Sequence, residues 1–229
     1  MYSFSSKIKL TALISMIVGL VAVIYSFIAT PSSVADLHQG GEAAHDPAHL
    51  EHMLHMLQNK PWAALYVAAL FFLLISLGVL AFYAINRAAQ AGWAPILFRV
   101  MEGITGYLPV GALIFFVLLV CSGLHLNHLF IWMDPQVVAH DTVIQGKTGY
   151  LNVPMFLVRA AVYLLGWIAY RQITRKLSLQ QDEATDNRPF IKAFKWSAGF
   201  LVFFLVTESM MSWDWVMSVD PHWFSTLFG

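Results

Sequence analysis

Charge and cysteine are what this sequence has least of. Only 11% of its 229 residues are Asp, Glu, Lys or Arg, against about 25% in an ordinary soluble domain. The 13 basic residues balance the 13 acidic ones, so no net basic field draws nucleic acid. The lone cysteine, Cys121, lies in an apolar run. A single thiol excludes an internal disulfide framework, a cysteine zinc site and a cysteine-held iron–sulfur cluster. No Cys-x-x-Cys-His haem-attachment motif is present. A bis-histidine b-type haem needs two facing span histidines, and His125 with His128 stand three apart at one run's end. What is abundant is apolar: 59% of the residues are hydrophobic and the mean hydropathy is +0.65. Collagen-like, disordered and secreted mini-protein compositions fail, which leaves a polytopic membrane protein.

A membrane helix needs about 20 apolar residues to cross about 30 Å of hydrocarbon. Five stretches qualify: Leu10 to Ala29, Trp62 to Ile85, Tyr107 to Leu126, Val153 to Tyr170 and Trp196 to Met217. They are continuously apolar rather than alternating, so helices and not a barrel are expected. The fold class is therefore all-α integral membrane, with an N-terminal helix (1–30), a His-rich loop (31–61) and four further spans (62–229). The first run follows Lys7 and Lys9 and precedes Ser33-Val34-Ala35, as a secretory signal would, but it exceeds the usual ~7–15 residues of a signal core. It reads as a retained helix.

Lysine and arginine set the expected orientation. Ten of the thirteen lie in the N-terminal tail and the second and fourth loops, and only Lys60 and Lys147 in the other two. The N-terminus is expected in the cytoplasm and the C-terminal end of this chain in the periplasm of a bacterial inner membrane. All nine histidines then fall on or near the outer side.

The loops carry several candidate groups. Asp46 and Pro47 predict the start of a short helix. On it His45, His49, His52 and Met56 share a face, at a spacing that suits copper or zinc or simply a solvated polar face. Glu102, near Arg99, is a candidate carboxylate for proton uptake from the cytoplasm or a plain surface acid. The third loop, Asn127 to Asn152, reads as a structured docking surface.

Ionisable residues inside spans are costly and often functional. Arg159 and Glu208 lie roughly 9–12 Å below the outer ends of their spans and are expected to pair if those spans pack together. Asp214 lies nearer the surface, Tyr163 one turn beyond Arg159, and His125 at the end of the third span. His125, Arg159, Tyr163, Glu208 and Asp214 thus form a candidate quinone-binding or proton-transfer constellation, walled by Phe115, Phe116, Phe156, Trp213 and Trp215. The plainer alternative is a structural Arg159–Glu208 pair.

The segment Met211-Ser212-Trp213-Asp214-Trp215-Val216-Met217-Ser218-Val219-Asp220-Pro221-His222-Trp223-Phe224-Ser225-Thr226-Leu227-Phe228-Gly229 resembles that of the F-type subunits of bacterial alternative complex III. Those belong to the polysulfide-reductase (NrfD-like) membrane family. The resemblance implies an NrfD-like four-helix bundle in a respiratory quinol-oxidising complex. That complex passes electrons to a periplasmic cytochrome or a terminal oxidase. It further implies that haem and iron–sulfur groups reside in partner subunits, that quinone or menaquinone is the ligand of the complex, with the related C-type subunit the better-supported quinol binder and the F-type subunit a companion with a part in proton transfer, and that Asp214 carries a role within the matching segment. Family members have roughly twice this length and two four-helix bundles, so against that pattern the chain reads as a fragment or the product of an interrupted gene, without the second bundle of a complete channel. A non-catalytic scaffold that docks periplasmic subunits, or a periplasmic metal-handling protein, are the alternatives.

Overall fold

The structure, a computed structural model, describes residues 5–33, 47–223 and 225, with the backbone alone for residues 47–49, 51 and 52. Among the described residues there are helices and turns but no strand. Five stretches are long and apolar enough to cross a membrane: Ser6–Ala29, Met53–Ala88, Pro95–Gly123, Val153–Glu183 and Arg188–Val219. The chain is a multi-pass, all-α membrane protein.

Helix α1 (Ser6–Ala29) starts at Ser5, whose hydroxyl accepts from the Ile8 amide at 3.4 Å. Helix α2 (Pro47–Ala88) is 42 residues long. The short helix expected after Asp46 is therefore not separate but continuous with the second span, through Pro61. A proline forfeits one ladder bond, and a membrane helix tolerates that loss where neighbouring bonds hold.

Helix α3 (Pro95–Ile104) passes through a 3-10 turn, Thr105–Tyr107, into α4 (Leu108–Gly123). Pro109 has no N–H for the Thr105 carbonyl, so the α ladder is interrupted there and the tighter turn takes over. Two short helices, α5 (Pro135–His140) and α6 (Thr142–Gln145), order the third loop. The carboxylate of Asp134 caps the first through the Gln136 amide at 2.9 Å, and that of Asp141 the second through Val143 at 2.9 Å. Helix α7 (Val153–Glu183) is capped by Asn152 and runs well past the expected span end at Tyr170. Hydropathy marks where lipid ends, and no proline or glycine stops the helix beyond it. Helix α8 (Arg188–Trp215) completes the set.

The end of α4 has a specific cause. His125 has φ 57°, the left-handed region. Its amide bonds to the Ser122 carbonyl at 3.0 Å, and that of Leu126 to Cys121 at 3.0 Å. This is the pairing of a Schellman stop, where glycine is the usual residue. His125→Gly is expected to raise stability by about 1 kcal/mol by removing the left-handed penalty of a side chain, read as a higher thermal midpoint in detergent.

By packing, the chain divides into residues 1–65 and 66–229. In the first unit α1 buries no residue, the Phe27 and Trp62 rings meet edge-on at 5.2 Å, and the Gln58 amide donates to the Pro31 carbonyl at 3.3 Å. In the second unit four spans share one core: Leu73 and Leu77 from α2, Phe115 and Leu119 from α4, Phe156 and Trp167 from α7, and Met211 and Trp215 from α8. Lipid is as apolar as leucine, so shape and polar pairing decide which helix faces meet. Gly166 lets α7 and α8 approach closely, since a Cβ there would lie 2.4 Å from the Phe203 ring. Trp167 donates to the Thr207 hydroxyl at 3.0 Å, and the Tyr170 and Ser197 hydroxyls pair at 2.8 Å.

Candidate functional site

The 66–229 unit holds buried charge at both ends. At the end bearing the third loop, the Arg159 guanidinium grips Asp214 with two bonds, Nε to Oδ2 at 2.8 Å and Nη2 to Oδ1 at 2.7 Å. Asp214 is 0% exposed and the Arg159 side chain 11%. The Tyr163 hydroxyl, one turn along α7, donates to Asp214 Oδ2 at 3.1 Å. Arg159 Nη1 donates to the Tyr150 carbonyl at 3.0 Å, and the guanidinium lies 3.9 Å from the Tyr150 ring centre. Ser218 donates to the Asp214 backbone carbonyl, and Tyr66 to that of Trp215 at 2.7 Å. One buried pair thereby ties α7, α8 and the third loop together, while Tyr66 brings α2 to the same corner.

Three members of the expected constellation meet: Arg159, Tyr163 and Asp214. Two do not. Arg159 pairs with Asp214, not with Glu208. Six helical residues separate these two acids by about 120° around α8, so a single α7 arginine meets only one. Its long stem carries the charge toward the helix end, where Asp214 lies. Glu208 is half-buried and makes no hydrogen bond or ion pair among the described residues. His125 is exposed and serves as the stop of α4. Of the expected aromatic walls, Phe115, Phe156 and Trp215 are fully buried in the core.

Tyr150 was not legible as a member, because no periodicity shows where a loop residue folds back. Its hydroxyl is buried and has no hydrogen-bond partner of good geometry. Burial, and then the negative charge of Asp214, push its pKa up to about 12. It therefore stays protonated, a hydrogen-bond donor, at any physiological pH. A cavity of about 430 Å³ opens beside it, lined by Tyr150, Lys147, Trp213, Met217, Ser218 and Trp223 among others. Two clamps hold its rim: Lys147 Nζ bonds the Pro221 carbonyl, and His222 Nε2 lies 2.6 Å from Asp141 Oδ2. The Ile144 amide, and also His222, hold the Asp141 carboxyl below the ordinary carboxylate range.

The opposite end is rich in arginine. Glu102 is buried there, with Arg99 at 2.9 Å, Arg175 in contact with the same oxygen, and the Tyr83 hydroxyl donating at 3.2 Å. Arg87 Nε donates to the Tyr83 hydroxyl at 3.2 Å, and Arg99 also pairs with Asp182. Glu102 is thus the centre of a network, and neither Arg175 nor Tyr83 was visible as its partner from sequence spacing.

His45 and the side chains of His49 and His52 lie outside the described residues, and Met56 is exposed on α2. Among the described residues no group of three or more His, Cys, Asp or Glu is placed to hold a metal. Compared with known proteins, the chain matches no family model and no curated protein.

Proposed function

We propose that this chain is an integral membrane subunit of a bacterial respiratory quinol:cytochrome c oxidoreductase of the alternative complex III type, bordering the quinol-oxidising region and holding no redox centre of its own. The observation that carries the reading is a cavity lined by Tyr150, whose buried hydroxyl lies beside Asp214 and Tyr163, and backed by the Arg159–Asp214 pair. The cavity is within the usual ligand range of about 300–1,000 Å³. A quinol ring presents two hydroxyls that need partners, and the aromatic side chains of Trp213 and Trp223 suit its flat faces. The likeness of residues 211–229 to F-type subunits, with Asp214 inside that segment, supports the same reading.

On this reading the N-terminus is cytoplasmic and the cavity opens toward the periplasm, as the lysine and arginine distribution favours. Tyr150 binds and orients a quinol oxygen. Arg159 and Asp214 fix Tyr150 and Tyr163 against the cavity wall. The two electrons of quinol oxidation would leave to haem and iron–sulfur groups of partner subunits docked on the clamped third loop, and the two protons to periplasmic water at the cavity mouth. That loop also favours a docking role for the same face.

The test is purification of the tagged chain from its native membranes in mild detergent. The expected result is a single species carrying haem absorbance and quinol-driven reduction of cytochrome c. A chain that purifies free of haem-bearing partners and of that activity overturns the reading.

A further inference from the structure

At the arginine-rich end, a feature outside the Tyr150 cavity points to a second ligand. Between α4 and α7 runs an apolar slot of about 360 Å³, lined by Pro109, Leu113 and Phe116 on one side and Ala161, Leu165 and Ile168 on the other. It is too small for another helix, which is about 10 Å across. A second cavity, of about 410 Å³, is lined by Arg171, Gln172, Arg175, Lys176, Leu179 and Glu183.

The two follow one another along α7. Positions 161, 165, 168, 172, 175 and 179 recur every three or four residues, which places them in one stripe of the helix. The slot's end also meets the basic group across the gap. Arg171 reaches to Gly106, in the turn just before Pro109, where an added Cβ would lie 3.5 Å from Nη2. Arg171 Nε is buried with no acceptor. Arg171 stands eighteen residues beyond Val153, roughly 27 Å along the helix and close to the hydrocarbon thickness of about 30 Å.

The occupant therefore needs an apolar tail of single-chain width and, at head-group depth, an anion. We infer that an anionic phospholipid binds here specifically, one acyl chain in the α4/α7 slot and its phosphate at Arg171 and Lys176. Arg175 adds charge that it shares with Glu102, and Arg99 stands beyond it. Glu102, Asp182 and Glu183 are the acids facing the group, so the cations remain in excess. A zwitterionic lipid brings its own cation to the same place and loses that attraction.

Native mass spectrometry of the purified full chain, titrated in detergent with phosphatidylglycerol or phosphatidylcholine of identical chains, tests this. Phosphatidylglycerol is expected to be retained at least tenfold more strongly. Arg171→Gln with Lys176→Gln is expected to weaken it about fivefold per charge removed. Ala161→Phe, which fills the slot, is expected to weaken it with both cations intact. Lys176 is exposed, so Lys176→Gln alone carries the charge test should Arg171→Gln fail to fold. Equal retention of the two lipids, or unchanged retention in the charge variants, overturns the inference. Displacement of the lipid by equimolar inorganic phosphate does so too, since it marks a plain anion site.

Discussion

Replacing Asp214 with Asn is expected to lower the unfolding free energy by about 3 kcal/mol or more. Asp214 accepts two bonds from Arg159 and one from Tyr163. Without its charge the guanidinium is left buried and uncompensated on a membrane helix, which costs more than the pair itself contributes. The double variant Arg159→Met with Asp214→Leu removes both charges and fills similar space, and is expected to recover most of the loss. Thermal unfolding in detergent, followed by the fluorescence of the buried Trp167 and Trp215, checks both. A stable Asp214→Asn protein would mean that Arg159 finds another acceptor.

What the sequence reveals follows from what its signals encode. Long apolar runs encode depth in a bilayer, and all five spans are in place. The same runs are silent about where a helix stops. Hence α7 continues through its basic turns to Glu183, and α2 begins far before Trp62. Depth arithmetic brought Arg159 and Glu208 to one level and set Asp214 nearer the surface, so it favoured the wrong acid as the partner of Arg159. Depth carries no angular information, and angle around α8 is what selected Asp214. His125 looked like chemistry and is a helix stop, because a residue type does not disclose its φ. Tyr150 and the partners of Glu102 come from segments distant in sequence, and only tertiary packing brings them together.

The second large effect concerns Tyr150, whose buried hydroxyl makes no hydrogen bond of good geometry and lies in the field of Asp214. Removing an unsatisfied polar group relieves a desolvation cost rather than breaking a bond. Tyr150→Phe is therefore expected to leave assembly and thermal stability unchanged or slightly improved. A lost functional effect then cannot be blamed on the fold, which makes this variant cleaner than any change at Asp214.

The decisive measurement is quinol-driven cytochrome c reduction by the purified complex carrying Tyr150→Phe. If that hydroxyl holds a quinol oxygen, kcat/KM falls about tenfold, the equivalent of one hydrogen bond of about 1.4 kcal/mol, with the complex intact. Turnover equal to that of the unaltered complex across quinol concentrations would contradict a quinol site at this cavity.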